Sequence, residues 1–372
     1  MIPHDIRIPG DLKPSDGRFG AGPSKVRPDA MEALVERATD YMGTSHRQTP
    51  VRAMVARLQD GLTQLFSLPE GYEVLLGNGG TTLVWDAMAF GLVNHKSQHY
   101  VFGEFSAKCA RAMSQAPHIS EAEIISSEPG TYPTPVVSEG ADLYALIHNE
   151  TSTGVMMPVQ RVSPRGLVAV DATSAAAGLR VDPKEFDFYY FAPQKGLASE
   201  GGLWLSLASP AAIERIEEIA ASERYIPASL DLKLALDNSR QHQTYNTPAL
   251  ATVFLAVHQV EWINDNGGLE GAASRCDKSS EALYAWAEAS PVARPFVERV
   301  EQRSRVVTTI DFDDSIDAAA LTAVLRDNGI VDTEPYRKLG RNQIRVAVYP
   351  AVDPDDAVAL TGCLDYVLER LP

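Results

Sequence analysis

Between about Tyr72 and Ser206 short apolar runs alternate with stretches of helical spacing, and this alternation limits the possible folds more than any other feature of the chain. Residues 72–76, 100–102, 123–126, 143–148, 167–171, 188–191 and 203–205 read as strands, with helices over 81–92 and 106–114. Strands buried on both faces appear as near-continuous apolar runs, and short connections through helices make neighbouring strands parallel. The expected fold is α/β, a mostly parallel sheet covered on both faces. In such sheets ligands gather beyond the carboxyl ends of the strands.

Upstream, Val51, Met54, Val55, Leu58, Leu62, Leu65 and Phe66 fall at helical spacing and read as one core-facing stripe. After Pro248 the pattern changes to long helices, 249–264 and 269–289, around the Asn266-Gly267-Gly268 break. A strand (306–312), a helix (317–328), a strand (343–348) and a helix (354–369) follow, which make a smaller α+β unit. A chain of 372 residues exceeds the size at which single cores stop growing. Two domains are expected, a large one over 1–265 that includes the N-terminal segment and a small one over 266–372.

The net charge of −16 disfavours nucleic acid and anionic membranes as partners, since both require a basic face. No apolar run approaches the roughly 18 residues that span a bilayer. Met1-Ile2-Pro3-His4-Asp5 has neither the basic start nor the apolar stretch of an export signal. Cys109, Cys276 and Cys363 are few and widely spaced, which argues against a disulfide framework or a paired-cysteine metal site. A cytoplasmic protein without a metal is the expectation.

Two strand ends carry the chemistry. Val168-Ala169-Val170-Asp171 closes one strand with an acid, and Phe191-Ala192-Pro193-Gln194-Lys195 places a lysine just beyond the next. An anion and an amine on one rim suit pyridoxal phosphate, whose ring nitrogen needs the first and whose aldehyde needs the second. Gly77-Asn78-Gly79-Gly80-Thr81-Thr82 follows a strand and opens a helix, a place where free amides favour a phosphate. It lacks the spacing of a P-loop. Asn149-Glu150-Thr151-Ser152-Thr153-Gly154 brings hydroxyls to the same rim, although a plain polar turn would look alike. Phe105, near the start of a helix on that rim, could pack in the core or stack beneath an aromatic cofactor. His46-Arg47 lies in a polar loop between helices, where solvation is the simpler reading. Arg345 sits inside the apolar strand Ile344-Arg345-Val346-Ala347-Val348 and calls for an anionic partner, either a structural carboxylate or a substrate carboxylate.

These pieces, with Phe19-Gly20-Ala21-Gly22-Pro23-Ser24, Ser45-His46-Arg47, Asp171-Ala172-Thr173-Ser174, Tyr245-Asn246-Thr247-Pro248 and Ile344-Arg345, run in an order that resembles the phosphoserine aminotransferases. These are class V pyridoxal-phosphate enzymes with the aspartate aminotransferase type of fold, fold type I. Asp-x-x-Ser and Gln-Lys recur across class V, whereas Ser-His-Arg and Asn-Thr-Pro are narrower. The resemblance covers nearly the whole chain.

It implies that Lys195 links covalently to the cofactor and that Asp171 pairs with its ring nitrogen. Gly80, Thr81 and Gln194 would hold the cofactor phosphate, Thr151 the ring oxygen, and Phe105 would stack where many members carry Trp. Asn246 and Thr247 would reach the phosphate from the other subunit of a homodimer, while His46, Arg47 and Arg345 would bind substrate anions. The stretch Tyr336-Arg337-Lys338-Leu339-Gly340-Arg341-Asn342 departs from the family's usual His-Arg pair, which leaves Arg337, Lys338 and Arg341 as candidates for the substrate phosphate. The implied reaction moves the amino group of L-glutamate to 3-phosphohydroxypyruvate, giving O-phospho-L-serine and 2-oxoglutarate in serine synthesis, with the phosphorylated oxo acid of pyridoxine synthesis as a further substrate. An alanine-glyoxylate or serine-pyruvate aminotransferase, a cysteine desulfurase-like lyase and a non-catalytic relative are the alternatives.

Overall fold

The computed structural model describes residues 6–371, so the expectation about an export signal falls on residues outside the described ones. The strands are β1 (Glu73–Asn78), β2 (Ser97–Val101), β3 (Glu123–Ser126), β4 (Leu143–Ile147), a small hairpin of β5 (Asn149–Glu150) and β6 (Val155–Met156), then β7 (Leu167–Asp171), β8 (Phe188–Phe191) and β9 (Leu203–Ala208). Seven of them form one sheet in the order β1-β9-β8-β7-β4-β2-β3. The pairs β3-β2, β2-β4, β4-β7 and β7-β8 are parallel, while β9 runs antiparallel to both β8 and β1.

Successive residues of a strand point to opposite faces. Val168, Val170, Tyr189 and Phe191 therefore pack on one side with α2 (Thr49–Leu65) and α7 (Leu250–Asp265). Leu167, Ala169, Phe188 and Tyr190 pack on the other with α3 (Thr81–Gly91), α4 (Glu104–Gln115), α5 (Pro210–Ala220) and α6 (Leu232–Ser239). Both faces are dry, which is why these strands lack polar alternation. The stripe from Val51 to Phe66 is core packing, as expected. The sequence reading contained neither α5 nor α6, although each has a side-chain cap at its start: Ser209 accepts from the Ala212 amide, and Asp231 from those of Lys233 and Leu234.

The C-terminal layer is a three-stranded antiparallel sheet, β10 (Ala293–Pro295), β11 (Val307–Phe312) and β12 (Gln343–Ala347). α8 (Gly268–Ala289), α9 (Ala318–Asp327) and α10 (Pro354–Leu368) cover it. Ile6, Ile8 and Phe19 enter this same core, and the Asn328 side chain bonds the backbone of both Ile6 and Ile8. The N-terminal segment thus passes over the C-terminal layer before residues 20–24 reach the end of β8. α1 (Pro28–Glu36) precedes the loop that holds His46 and Arg47.

Candidate active site

Beyond the carboxyl ends of β4, β7 and β8 lies a cavity of about 330 Å³. Thr81, Phe105, Thr151, Asp171, Gln194 and Lys195 all line it, together with Gly22, Trp85, Asn149, Thr173 and Ser174. Asp171 is the last residue of β7, and Lys195 lies in the turn after β8, so the parallel pairing of these strands brings acid and amine to one rim.

Asp171 is buried, and burial pushes its carboxyl above the usual range. Donors oppose that shift: the Thr173 amide reaches Oδ1 at 2.9 Å and the Trp85 indole reaches Oδ2 at 3.2 Å. Lys195 donates from Nζ to the Ala21 carbonyl at 2.5 Å. Desolvation, with the nearby Arg345 charge adding to it, lowers its pKa to about 8, against the opposing pull of Asp171 and Glu150. A neutral amine is therefore within reach near physiological pH.

The Asn149 to Thr151 turn is tied down by Ser174. Its hydroxyl accepts from the Thr151 hydroxyl at 2.7 Å and from the Asn149 amide at 2.9 Å, and donates to the Asn149 carbonyl at 3.0 Å. Glu150 points the other way and is wholly buried. Its carboxylate accepts from the amides of Phe105, Ser106 and Ser152 and from the hydroxyls of Ser106 and Ser152. Burial raises its pKa, and these donors at the start of α4 offset the cost. Gly103 is required beside it, because a Cβ there would lie 2.3 Å from the Glu150 Cγ. Phe105 thereby has a fixed place, with its ring 5.9 Å from that of Tyr336.

Gly80 is the N-cap of α3 and offers no side chain to the first amides of that helix. Thr81 and Thr82, the first two residues of that helix, line the cavity. Gln194 Oε1, Thr173 Oγ1 and Asn149 Oδ1, all from cavity-lining residues, are buried without a hydrogen-bond partner.

Arg345 lies in β12, as expected, but no carboxylate pairs with it among the described residues. It donates to the Thr151 carbonyl at 3.2 Å and sits 5.4 Å from the Tyr336 ring centre, while its Nε is buried without a partner. The structural-carboxylate alternative therefore falls, and the cation is left available beside Lys195. Of the three cations in the divergent loop, Arg341 pairs with Asp311 and Lys338 with Glu104.

His46, Arg47, Asn246 and Thr247 do not line the cavity of their own chain. The His46 ring nitrogen lies 3.1 Å from the Thr247 hydroxyl, and the Asn78 amide donates to the carbonyls of Asn246 and Thr247. These residues form a separate cluster at the end of β1, with Arg47, Asn246 and Thr247 exposed. Burial and Arg47 lower the pKa of His46. Elsewhere, a depression of about 1220 Å³ between Phe66, Tyr132, Leu179 and Arg305 contains none of the expected site residues.

All three cysteines are buried and free. Burial pushes their thiols up, that of Cys363 to about 11, which removes the mobile thiolate that a desulfurase-like lyase needs. No helix among the described residues is long and apolar enough to cross a membrane.

The profile of the family described as aminotransferase class-V matches residues 18–333. A phosphoserine aminotransferase from a Nocardioides species is 57% identical over 98% of this chain and 99% of its own. The chain belongs to the phosphoserine aminotransferase family of class V. Solved phosphoserine aminotransferases share the fold of this family member. That from Cytophaga hutchinsonii has a TM-score of 0.87 at 24% identity, covering 94% of this chain and 99% of its own. That from Bacillus circulans subsp. alkalophilus has 0.84 at 21%, covering 96% and 99%. The fold is that of the pyridoxal-phosphate-dependent aminotransferases, fold type I. The protein is a transaminase that uses pyridoxal phosphate. The cavity suits that cofactor: it joins an amine, a carboxylate, an uncapped helix start and several unpartnered buried polar atoms.

Proposed function

We propose that the protein reversibly transfers the amino group of L-glutamate to 3-phosphohydroxypyruvate, forming O-phospho-L-serine and 2-oxoglutarate, and that it also accepts the phosphorylated oxo acid of pyridoxine synthesis. The observation that carries this reading is Arg345: a half-buried cation with an unpartnered Nε, beside the Lys195 amine. Its planar fork suits the carboxylate that both substrates share. The phosphate and the γ-carboxylate fall to His46 and Arg47.

Gly80, Thr81 and Gln194 would hold the cofactor phosphate, Thr151 the ring oxygen, Phe105 the ring face and Asp171 the ring nitrogen. When bound at Lys195, pyridoxal phosphate supplies an electron sink for the charge that develops at the substrate Cα. Lys195 first serves as a nucleophilic amine, then as the base that takes the Cα proton and the acid that returns it. Asp171 holds the proton of the ring nitrogen. Arg345 orients the substrate so that its Cα hydrogen faces Lys195 Nζ.

The working unit would be a homodimer with shared sites. His46, Arg47, Asn246 and Thr247 stand apart from their own cavity, and the segments that carry them also expose Met31, Val35, Met42 and Tyr245. Such surface fits a partner copy. The chain would divide near Asn266 into a large domain (1–265) and a small one (266–372), and the buried free thiols fit the cytoplasm. The test is subunit complementation between Lys195→Ala and Arg47→Ala. Each variant alone should be nearly inactive on glutamate, and mixed dimers should regain activity because one hybrid site keeps both residues. Absence of any recovery in verified mixed dimers would overturn the shared site.

A further inference from the structure

Trp85 occupies the second turn of α3, four residues beyond Thr81, so both side chains lie on the same helix face, and both line the cavity. Its exposure is only 4%, and it packs in the core cluster that contains Met88 and Tyr190. Core packing alone would account for its ring but not for where the indole N–H goes. That N–H donates to Asp171 Oδ2 at 3.2 Å, while the Thr173 amide holds Oδ1 at 2.9 Å. Tyr190 stands opposite Asp171 in the β7-β8 pairing and packs in the same cluster as Trp85. The carboxylate is thus gripped on both oxygens.

We propose that Trp85 is a positioning residue for this transaminase: its indole N–H fixes the rotation of the Asp171 carboxylate that serves the cofactor ring nitrogen. The inference rests on the role assigned to Asp171 above. A carboxylate in a dry site can satisfy a ring nitrogen only if it keeps one orientation and its charge. A donor on each oxygen secures both. α3 consequently has two duties, an uncapped N-terminus near the cofactor phosphate and, one turn later, control of the acid at the other end of the cofactor. Phe, which is smaller and carries no donor, could not hold the carboxylate in place of Trp85.

The test measures the dissociation constant of pyridoxal phosphate by absorbance titration in Trp85→Phe, Asp171→Asn and the double variant. Trp85→Phe should weaken binding by about 10-fold or more, as expected for the loss of a charge-assisted hydrogen bond. In the Asp171→Asn background the same change should cost less than about 2-fold, because its target is already altered. A second measurement leaves Trp85 in place. The protein has four tryptophans, and in a nitrogen-proton correlation spectrum Asp171→Asn should shift one indole N–H signal strongly upfield. If Trp85→Phe folds and binds pyridoxal phosphate like the parent, or if its effect persists in full beside Asp171→Asn, the inference is wrong. A spectrum in which no indole signal responds to Asp171→Asn would overturn it independently, even if Trp85→Phe fails to fold. Normal cofactor binding by Asp171→Asn itself would instead sink the role of Asp171.

Discussion

The Nζ of Lys195 lies 2.5 Å from the carbonyl oxygen of Ala21, a residue 174 positions earlier in the chain. Tyr349 donates to the same carbonyl at 3.2 Å, and the Ser24 amide and hydroxyl bond the carbonyls of Gln194 and Lys195. The N-terminal segment is therefore a strap across the turn that carries the reactive amine. It gives Lys195 an acceptor whenever that amine is not covalently engaged.

Gly22 makes this approach possible. Its φ is +146°, and a Cβ would lie 2.3 Å from Lys195 Nζ and 2.6 Å from Cε. Gly22→Ala should displace the lysine while leaving the sheet intact. We expect an intact far-ultraviolet circular dichroism spectrum but a much smaller fraction of chains carrying cofactor after borohydride reduction, read by mass spectrometry. Full labelling of Lys195 in this variant would show that the strap has room to spare.

Cofactor uptake should report the depressed pKa of Lys195. The ammonium form cannot attack an aldehyde, and its pKa is lowered to about 8, so the loading rate of cofactor-free protein should rise as pH passes through about 8 and level off above it. Stopped-flow absorbance at constant pyridoxal phosphate concentration measures this. A midpoint near that of an ordinary lysine, about 10.4, would contradict the burial argument.

Much of this site was legible because strand ends are legible. Asp171 and Lys195 each close a run of apolar residues, and the parallel pairing of β7 and β8 then puts them together. Arg345 was visible as a cation in an apolar strand, although its neighbours proved to be the Thr151 carbonyl and the Tyr336 ring rather than a carboxylate. Trp85 was not visible, since an aromatic at core spacing in a helix gives no sign of where its N–H points. Nor was the Ala21 carbonyl, because a backbone acceptor has no sequence signature. Glu150 was read only as part of a polar turn, whereas burial makes it the anchor of α4.

Glu150 yields a stability prediction. Glu150→Gln keeps the shape but turns one acceptor into a donor, facing amides and hydroxyls that already donate. With buried donors left unsatisfied at about 1–3 kcal/mol each, we expect a loss on the order of 2 kcal/mol or more in urea denaturation. Phe105 should loosen with it, so cofactor affinity should fall in parallel. A change below about 0.5 kcal/mol, typical of a neutral surface site, would remove Glu150 from this role.

Arg345→Lys separates positioning from charge. Lysine keeps the positive charge but lacks the planar fork, so the Michaelis constants for glutamate and phosphoserine should both rise, by about 10-fold or more, while cofactor loading at Lys195 stays near normal. Steady-state kinetics with both donors checks this, and unchanged constants would move the shared carboxylate elsewhere.

The most direct measurement is the amino-donor and acceptor preference of the unmodified, cofactor-loaded protein. Glutamate with 3-phosphohydroxypyruvate should give O-phospho-L-serine and 2-oxoglutarate with a kcat/KM at least about 100-fold above that for alanine with glyoxylate, since a second anion-binding interaction contributes about 1.5–3 kcal/mol per charge-assisted hydrogen bond. A preference for alanine and glyoxylate over glutamate and phosphohydroxypyruvate would contradict the account, leaving a transaminase whose distal site takes no anion.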